Sequence, residues 1–266
     1  MINTFSRRRF LALSGIMGYM PAVWAHPDGR SAVSLSLPAH KHSDLPDLDW
    51  IAASLKKPDP LIWLFTGDSI TQGAGATAGG RSYPEIFAER MRWEMRRTRD
   101  IVINTGISGN ITDNILDDFR WRVGQFNPSV VSLMIGTNDC VRDAISTGYF
   151  RDRLELLIAQ IRTLKAIPVL HTPNYVDIPH APHCARLPEF IPVIRQVAEN
   201  NALILVDNWA YWQNAFQDES KRTGEGKWLD DPVHPNYSGH VQIAQLLFKT
   251  LNIFDEKAPT CGAAKP

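Results

Sequence analysis

The sequence is poor in cysteine, carries no excess of charge, and contains no apolar run beyond its first residues that could cross a membrane. Its three cysteines, Cys140, Cys184 and Cys261, have neither zinc-type nor CxxC spacing. Lys plus Arg and Asp plus Glu both number 28, and no basic stripe stands out. A nucleic-acid partner is therefore not expected. Neither a cofactor nor a bound metal ion is expected from the residue pattern.

The first 25 residues have the pattern of an export signal. Arginines at positions 7–9 precede a mostly apolar segment, Phe10–Met20, and small residues around Ala25 stand where a signal peptidase reads them. The paired arginines followed by Phe-Leu resemble a twin-arginine signal, which implies export by the twin-arginine machinery. The apolar segment is shorter than the roughly 20 residues that span a bilayer. We therefore expect cleavage near Ala25 and a periplasmic or secreted mature chain without a stable membrane span, with an uncleaved anchor as the alternative.

Apolar runs and amphipathic stretches alternate along residues 61–254, which we predict to be the folded domain. Residues 26–60 predict an irregular lead-in with a short helix at Asp49–Lys56, and residues 255–266 predict a tail. The predicted strands of a covered parallel sheet are Leu61–Phe65, Ile101–Ile103, Val130–Ile135, Pro168–Leu170 and Ala202–Val206. The predicted helices are Pro84–Arg97, Ile111–Phe119, Tyr149–Lys165, Pro188–Asn200 and Tyr237–Leu251. This alternation predicts a doubly wound α/β domain.

Polar, glycine-containing segments follow the strands, and in a parallel sheet they meet at one edge. Ser69 follows the first strand, Gly109 lies in a turn after the second, and Asn138 lies in a turn after the third. Asp231 and His234 precede the last helix, so the carboxylate can hold one ring nitrogen while the other faces the serine. Each segment alone is typical of a turn or a cap. Together and in this order they predict a serine nucleophile with a base and oxyanion donors.

Four sequence blocks resemble those of the SGNH (GDSL) hydrolase family over residues 61–251. They are Gly67-Asp68-Ser69, Gly109 after Ile107-Ser108, Gly136-Thr137-Asn138-Asp139, and Asp231-x-x-His234. The resemblance implies a flavodoxin-like three-layer α/β/α sandwich with a five-stranded parallel sheet. It implies Ser69 as nucleophile, His234 as base and Asp231 as its orienter. It also implies oxyanion donors at the N–H groups of Ser69 and Gly109 and at the Asn138 side chain.

Two other patterns offer weaker alternatives for the site. Residues 106–110 nearly match the G-x-S-x-G nucleophile elbow, but the fifth residue is Asn110, which makes Ser108 a poor nucleophile candidate. His171, His180 and His183 offer zinc-ligand residue types in or beside one loop. Their spacing is not helical and no glutamate base accompanies them, so we do not expect a metal site there.

A disulfide between Cys140 and Cys184 is a further prediction, at the edge of the sheet where the predicted site lies. Cys140 directly follows the Asn138 turn, and Cys184 lies in the loop after the fourth strand. A bridge between them would clamp that loop over the cleft, and two free thiols are the alternative.

The sequence predicts the type of reaction more closely than it predicts the substrate. The resembled family includes carbohydrate deacetylases, lipases, lysophospholipases and thioesterases. Export and a group of aromatic residues near the C-terminal site favour removal of a small acyl group, acetyl, from a saccharide ester, although core packing is an equal alternative for these aromatics. They are Trp209, Tyr211, Trp212, Trp228 and Tyr237. The other hypotheses are a lipase, lysophospholipase or thioesterase acting on longer acyl chains, and an acyltransferase with the same triad.

Overall fold

A parallel sheet of five strands forms the centre of the computed structural model, which describes residues 45–73, 75, 77–222 and 226–263. The strands are β1 (Ile62–Gly67), β2 (Ile101–Asn104), β3 (Val130–Met134), β4 (Ile167–Thr172) and β5 (Ile204–Asp207). Their spatial order is β2-β1-β3-β4-β5, and every neighbouring pair is parallel. The predicted export signal, residues 1–25, and residues 26–44 of the predicted lead-in lie outside the described residues.

Nine α-helices occur in the described part of the chain. They are α1 (Asp47–Leu55), α2 (Ser69–Gln72), α3 (Tyr83–Glu89), α4 (Thr112–Asp117), α5 (Phe119–Arg122), α6 (Thr147–Thr163), α7 (Leu187–Asn200), α8 (Asn208–Ala215) and α9 (Tyr237–Thr250). The predicted helix Pro84–Arg97 is α3 followed by a π-helical turn, Arg90–Glu94. The predicted helix Ile111–Phe119 is split between α4 and α5 at Asp118. Helix α8 was not predicted, because its sequence has little helical periodicity of apolar residues.

The central strands are apolar on both faces because both faces of the sheet are covered. In β1, Trp63 and Phe65 pack into a buried cluster with α1, α3 and α9, while Leu64 between them packs into a second cluster with α4, α6 and α7. Successive side chains of a strand point to opposite faces, so one continuous apolar run serves both clusters. The predicted three-layer α/β/α fold with a five-stranded parallel sheet is confirmed.

Local sequence signals fix the starts of two helices that border the site. Helix α3 begins with a capping box, in which Glu85 Oε2 accepts the Ser82 backbone N–H at 2.7 Å. Helix α9 begins after Asn236, whose side chain accepts the Gly239 N–H at 3.0 Å. The second cap ends the loop that carries Asp231 and His234 and begins α9.

Part of the predicted lead-in and part of the predicted tail are structured. Helix α1 lies two residues earlier than expected at its start and buries Ile51 in the first cluster. Near the C-terminus, Cys261 packs on the same cluster and the Thr260 N–H donates to Glu94 Oε1 at 2.9 Å. Within the described residues, the helices are all too short or too polar to cross a membrane.

Candidate active site

Ser69 is placed at the carboxyl edge of the sheet by the end of β1. It is the first residue of α2, and the preceding Asp68 caps this short helix by accepting the Ile70 N–H at 3.0 Å. Gly67 lets β1 approach β3 closely, because a Cβ at this position would lie 2.2 Å from the carbonyl oxygen of Met134. The strand therefore ends in a tight turn that leaves the Ser69 side chain partly exposed.

His234 and Asp231 reach Ser69 from the other end of the chain. Ser69 Oγ lies 2.9 Å from His234 Nε2, although 165 residues separate them. His234 Nδ1 lies 2.7 Å from Asp231 Oδ2. With the ring proton on Nδ1, where the carboxylate accepts it, Nε2 is the acceptor for the serine hydroxyl.

The loop that carries this pair is fixed by backbone hydrogen bonds. Asp231 Oδ1 accepts the N–H groups of Val233 and His234, each at 2.7 Å, so the carboxylate and the imidazole belong to one turn. The Pro232 carbonyl accepts the Asp177 N–H at 2.8 Å, and the Val233 carbonyl accepts from Asn174 at 3.1 Å. The loop after β4 is thus hydrogen-bonded to the turn that carries Asp231 and His234.

The turns after β2 and β3 meet beside Ser69. Gly109 has a φ of 77°, a left-handed conformation that glycine adopts without strain. Asn138 Nδ2 donates to the Asn110 carbonyl at 3.1 Å. Asp139 Oδ1 accepts the N–H of Thr112, the first residue of α4, at 3.0 Å. Two hydrogen bonds therefore join the turn of Asn138 to the segment that follows Gly109.

These elements enclose a cleft of about 520 Å³. It is lined by Ser69, Gly75, Ser108, Gly109, Asn138, Asp230, Asp231 and His234. Among the described residues that line it, none is an aliphatic residue or a Phe, Tyr or Trp. The structure therefore brings together all five residues predicted for nucleophile, base, orienter and oxyanion donors, in a polar cleft.

Two carboxyl groups beneath the cleft are buried, while a third at its edge is exposed. Burial raises the pKa of Asp68 to about 7, although the N–H of Ile70 lowers it. Burial raises the pKa of Asp139 to about 6, against hydrogen bonds from Thr112. For Asp231, partial burial is outweighed by the N–H groups and the ring of His234, so its pKa lies below the usual value. Asp231 is thus held ionised beside the imidazole.

Other polar side chains that the sequence singled out do not join the hydrogen-bonded row of Ser69, His234 and Asp231. Ser108 lines the cleft, but its hydroxyl donates to Gln72 Oε1 at 2.6 Å, and among the described residues it has no hydrogen bond to a histidine. His171 is fully buried in the core, 2.8 Å from Ser132 Oγ, and burial lowers its pKa to about 3. His180 lies on the surface against Asp177. No group of three or more His, Cys, Asp or Glu side chains in the described ranges could hold a metal ion.

The aromatic residues near the site divide between core and surface. Trp209, Trp212 and Trp228 are at most 8% exposed and pack in the core, so the packing alternative applies to them. The Tyr211 ring stacks on that of Trp228 with centroids 6.0 Å apart. Tyr237 is 43% exposed and follows His234 by three residues. Of this group, only Tyr237 has a widely exposed ring.

Cys140 and Cys184 are both buried free thiols and contact each other. The hydrogen bond to Cys184, together with burial, raises the pKa of the Cys140 thiol. The Cys140–Cys184 disulfide stays a prediction, but the two side chains are close to each other in the structure. Cys261 lies in the other buried cluster, on the opposite side of the sheet.

Sequence reasoning missed the residues that support the cleft from below. The carboxyls of Asp68 and Asp139 are in the recognised blocks, but nothing in the sequence shows that both are buried. Arg122 is fully buried under the same turns, and its neighbour Arg120 is exposed. A four-residue helix offers no periodicity that would separate the two arginines.

The profile of the GDSL-like Lipase/Acylhydrolase family matches residues 65–242. The match covers more than half of the chain, which has an α/β/α fold with a serine-containing cleft at one edge of its parallel sheet. The protein therefore belongs to the GDSL-like lipase/acylhydrolase family, as the four sequence blocks predicted. It is a carboxylic ester hydrolase.

Similar proteins and structures agree with this assignment. An acetylxylan esterase of Geobacillus stearothermophilus is 25% identical over 206 residues, which cover 71% of this chain and 92% of that protein. The crystal structure of Axe2, an acetylxylan esterase from the same organism, has a TM-score of 0.60 at 24% identity and covers 72% of this chain and 94% of that one. LAE5, an alpha/beta hydrolase enzyme from the metagenome of Lake Arreo, Spain, has a TM-score of 0.61 at 23% identity and covers 73% and 95%. The two structures show the fold.

Proposed function

We propose that the protein hydrolyses esters through a catalytic triad of Ser69, His234 and Asp231. The observation that carries this proposal is the continuous hydrogen-bonded row from Ser69 Oγ to His234 Nε2 at 2.9 Å and from His234 Nδ1 to Asp231 Oδ2 at 2.7 Å. A nucleophile, a base and an orienting carboxylate within hydrogen-bond reach are what acyl transfer through serine requires.

In this mechanism Ser69 Oγ attacks the ester carbonyl carbon while His234 Nε2 takes the hydroxyl proton. The negative charge that forms on the carbonyl oxygen is stabilised by the N–H groups of Ser69 and Gly109 and by the Asn138 amide. The imidazolium, stabilised by Asp231, gives its proton to the departing alcohol. Water then attacks the acyl-serine, with His234 again as the base, and the acid is released.

The acyl group that we propose is small, with acetyl on a carbohydrate as the substrate class. The acetylxylan esterase from Geobacillus stearothermophilus supports this choice. The cleft supports it independently, because its described lining consists of polar side chains and glycine. A long acyl chain gains binding energy by burying its methylene groups against apolar side chains, at about 0.8 kcal/mol each. The described lining of the cleft offers no such apolar surface, which disfavours an esterase or thioesterase for longer acyl chains.

A series of p-nitrophenyl esters from acetate to palmitate on the purified mature protein, together with acetylated xylooligosaccharide, tests both parts of the proposal. We expect the highest kcat/KM for acetyl and release of acetate from the oligosaccharide. Ser69→Ala should lower kcat by about 10⁴-fold or more. Ser108→Ala is the matched control for the other serine in the cleft and should keep kcat within about tenfold. Near-normal turnover by Ser69→Ala would refute the triad, and a preference for long chains would refute the acetyl assignment.

An acyltransferase would use the same triad with a sugar or alcohol in place of water. Adding xylose or methanol to the assay separates the two, because a transferase forms the new ester while a hydrolase releases the free acid. We expect mainly the free acid.

Export is proposed on the sequence pattern of residues 1–25, which supports delivery by the twin-arginine machinery to the periplasm or beyond. N-terminal sequencing of the protein recovered from a cell fractionation should give a start near His26. Replacing Arg7 and Arg8 together by lysine should leave the uncleaved chain in the cytoplasm. Secretion of the lysine variant at the normal level would contradict the twin-arginine assignment.

A further inference from the structure

Arg122 is a fully buried arginine whose guanidinium lies under the turns that form the cleft. Its Nη2 donates to the Gly67 carbonyl at 3.0 Å and to the Thr105 carbonyl at 2.8 Å, and lies 3.4 Å from Thr66 Oγ1. Its Nη1 donates to Asn110 Oδ1. These acceptors belong to the end of β1, the segment after β2, and the turn of Gly109. One side chain therefore joins the three segments around Ser69.

The charge of Arg122 has no anionic partner at contact distance. All four acceptors are uncharged oxygens, and among the described residues no carboxylate lies within 4.0 Å of the guanidinium. Burial lowers the pKa of Arg122, and the charge of Asp118 raises it, but a guanidinium stays protonated in proteins. A buried, unpaired charge is costly to folding. A net positive charge is therefore kept directly behind the cleft.

Two short hydrogen-bond paths connect this charge to the proposed oxyanion donors and to the nucleophile. Asn110 accepts from Arg122 through its side chain and from Asn138 Nδ2 through its carbonyl, and it directly follows Gly109. The Gly67 carbonyl, two residues before Ser69, accepts from Arg122 and also from the Ile107 N–H at 3.1 Å. A shift of the guanidinium would thus move the donors relative to the serine.

We propose that Arg122 is a positioning residue for ester hydrolysis, which fixes the oxyanion donors relative to Ser69 and whose buried charge stabilises the anionic tetrahedral intermediate. This inference rests on the proposed triad and oxyanion donors. A preorganised charge in a site that excludes water acts more strongly on a developing negative charge than the same charge in solution. The ester in its ground state carries no such charge, so Arg122 should affect kcat more than KM.

Arg90 shows what a purely structural buried arginine looks like in this fold. It is 5% exposed, and its Nε and Nη2 donate to the Ile253 carbonyl at 3.0 and 2.6 Å. Its Nη1 lies 3.2 Å from Glu94 Oε2, so its charge is paired. None of its partners lines the cleft. Arg90→Met is therefore the matched control for the loss of a buried arginine.

The test compares Arg122→Met, Arg122→Lys and Arg90→Met as purified full-length mature proteins, with folding checked by circular dichroism and the melting temperature. For p-nitrophenyl acetate, we expect Arg122→Met to lower kcat by about 100-fold with KM within threefold. Arg122→Lys keeps the charge but loses the fork that joins three segments, and should lower kcat by about tenfold. Arg90→Met should lower the melting temperature and keep kcat within twofold.

A second readout separates charge stabilisation from a general loss of structure. Methylboronic acid forms an anionic tetrahedral adduct with an active-site serine, whereas acetate binds without such an adduct. We expect Arg122→Met to weaken boronate binding by about the factor lost in kcat, and acetate binding by less than threefold. If the Met variant does not fold, the Lys variant carries the test, with the same correlation at a smaller factor.

The proposal is overturned if the folded Arg122 variants keep kcat and boronate affinity within twofold of the parent protein. It is also overturned if Arg90→Met loses as much kcat as Arg122→Met, since the effect would then follow stability alone. Failure of the triad itself would appear separately, as activity that survives Ser69→Ala.

Discussion

The buried carboxyl of Asp68 gives a prediction whose sign and size follow from its surroundings. Asp68 is fully buried, its Oδ1 accepts the Ile70 N–H, and its Oδ2 has no hydrogen-bond partner among the described residues. The titratable groups around it are Asp139, whose charge raises its pKa, and His234, whose charge lowers it, with the Tyr83 hydroxyl nearby. Burial dominates and raises its pKa from 3.8 to about 7.

The perturbation is Asp68→Asn, which keeps the shape and an oxygen for the Ile70 N–H but cannot ionise. Between about pH 4 and pH 7 the folded state holds a proton on Asp68 that the unfolded state has lost. The contribution of this group to the free energy of unfolding therefore falls as the pH rises through that window, and it is constant above it. At about 1.4 kcal/mol per pKa unit, a shift of about three units corresponds to at most about 4 kcal/mol.

The assay is urea unfolding followed by tryptophan fluorescence at pH 4.5, 6, 7 and 8, for the parent protein and Asp68→Asn. We expect the stability of the variant relative to the parent to rise by a few kcal/mol from pH 4.5 to pH 8. Asp139→Asn should show a smaller rise with the same sign, because the pKa of Asp139 is about 6. The exposed Asp143→Asn is the control. A difference that is flat or that falls with pH would refute the account of Asp68.

Three further predictions concern the cleft and the thiols. Asn138→Ala removes one of the three proposed oxyanion donors and should lower kcat for p-nitrophenyl acetate by about 10²- to 10³-fold with little change in KM; an unchanged kcat would contradict its role. Asp231→Asn should lower kcat by about 10³- to 10⁴-fold at pH 7, because the amide oxygen stays with the backbone N–H groups and the NH2 group donates to Nδ1, which moves the ring proton to Nε2; a loss below tenfold would count against the orienter. Oxidised glutathione should form one disulfide between Cys140 and Cys184 by thiol–disulfide exchange. Titration in denaturant should then find one thiol, on Cys261, and three remaining thiols would disprove the bridge.

The order of strands and helices could be predicted from the sequence because the three central strands, β1, β3 and β4, are buried on both faces. A run such as Val130–Ile135, apolar except for Ser132, is expected when clusters cover both sides of the sheet, and the structure has β3 at Val130–Met134. Helix bounds were less accurate where the chain changes its hydrogen-bond pattern. The π-helical turn at Arg90–Glu94 and the break at Asp118 leave no mark on apolar periodicity.

The meeting of the five predicted site residues in one cleft could also be predicted, because a parallel sheet brings the ends of its strands together whatever the separation in sequence. The aromatic residues could not be assigned in this way. An apolar aromatic side chain is equally suited to a core and to a sugar-stacking surface, and only packing showed that Trp212 is fully buried.

Residue order and local patterns are enough to establish the family, the α/β alternation, and the positions of Ser69, Asn138 and His234. The electrostatics beneath the cleft depend instead on how distant segments pack. Whether Asp68 shares its surroundings with another carboxyl, and whether Arg122 meets carbonyl oxygens or water, depends on segments far apart in the chain. The sequence shows which residues can carry a charge, but their burial and their neighbours are set only when the chain has folded.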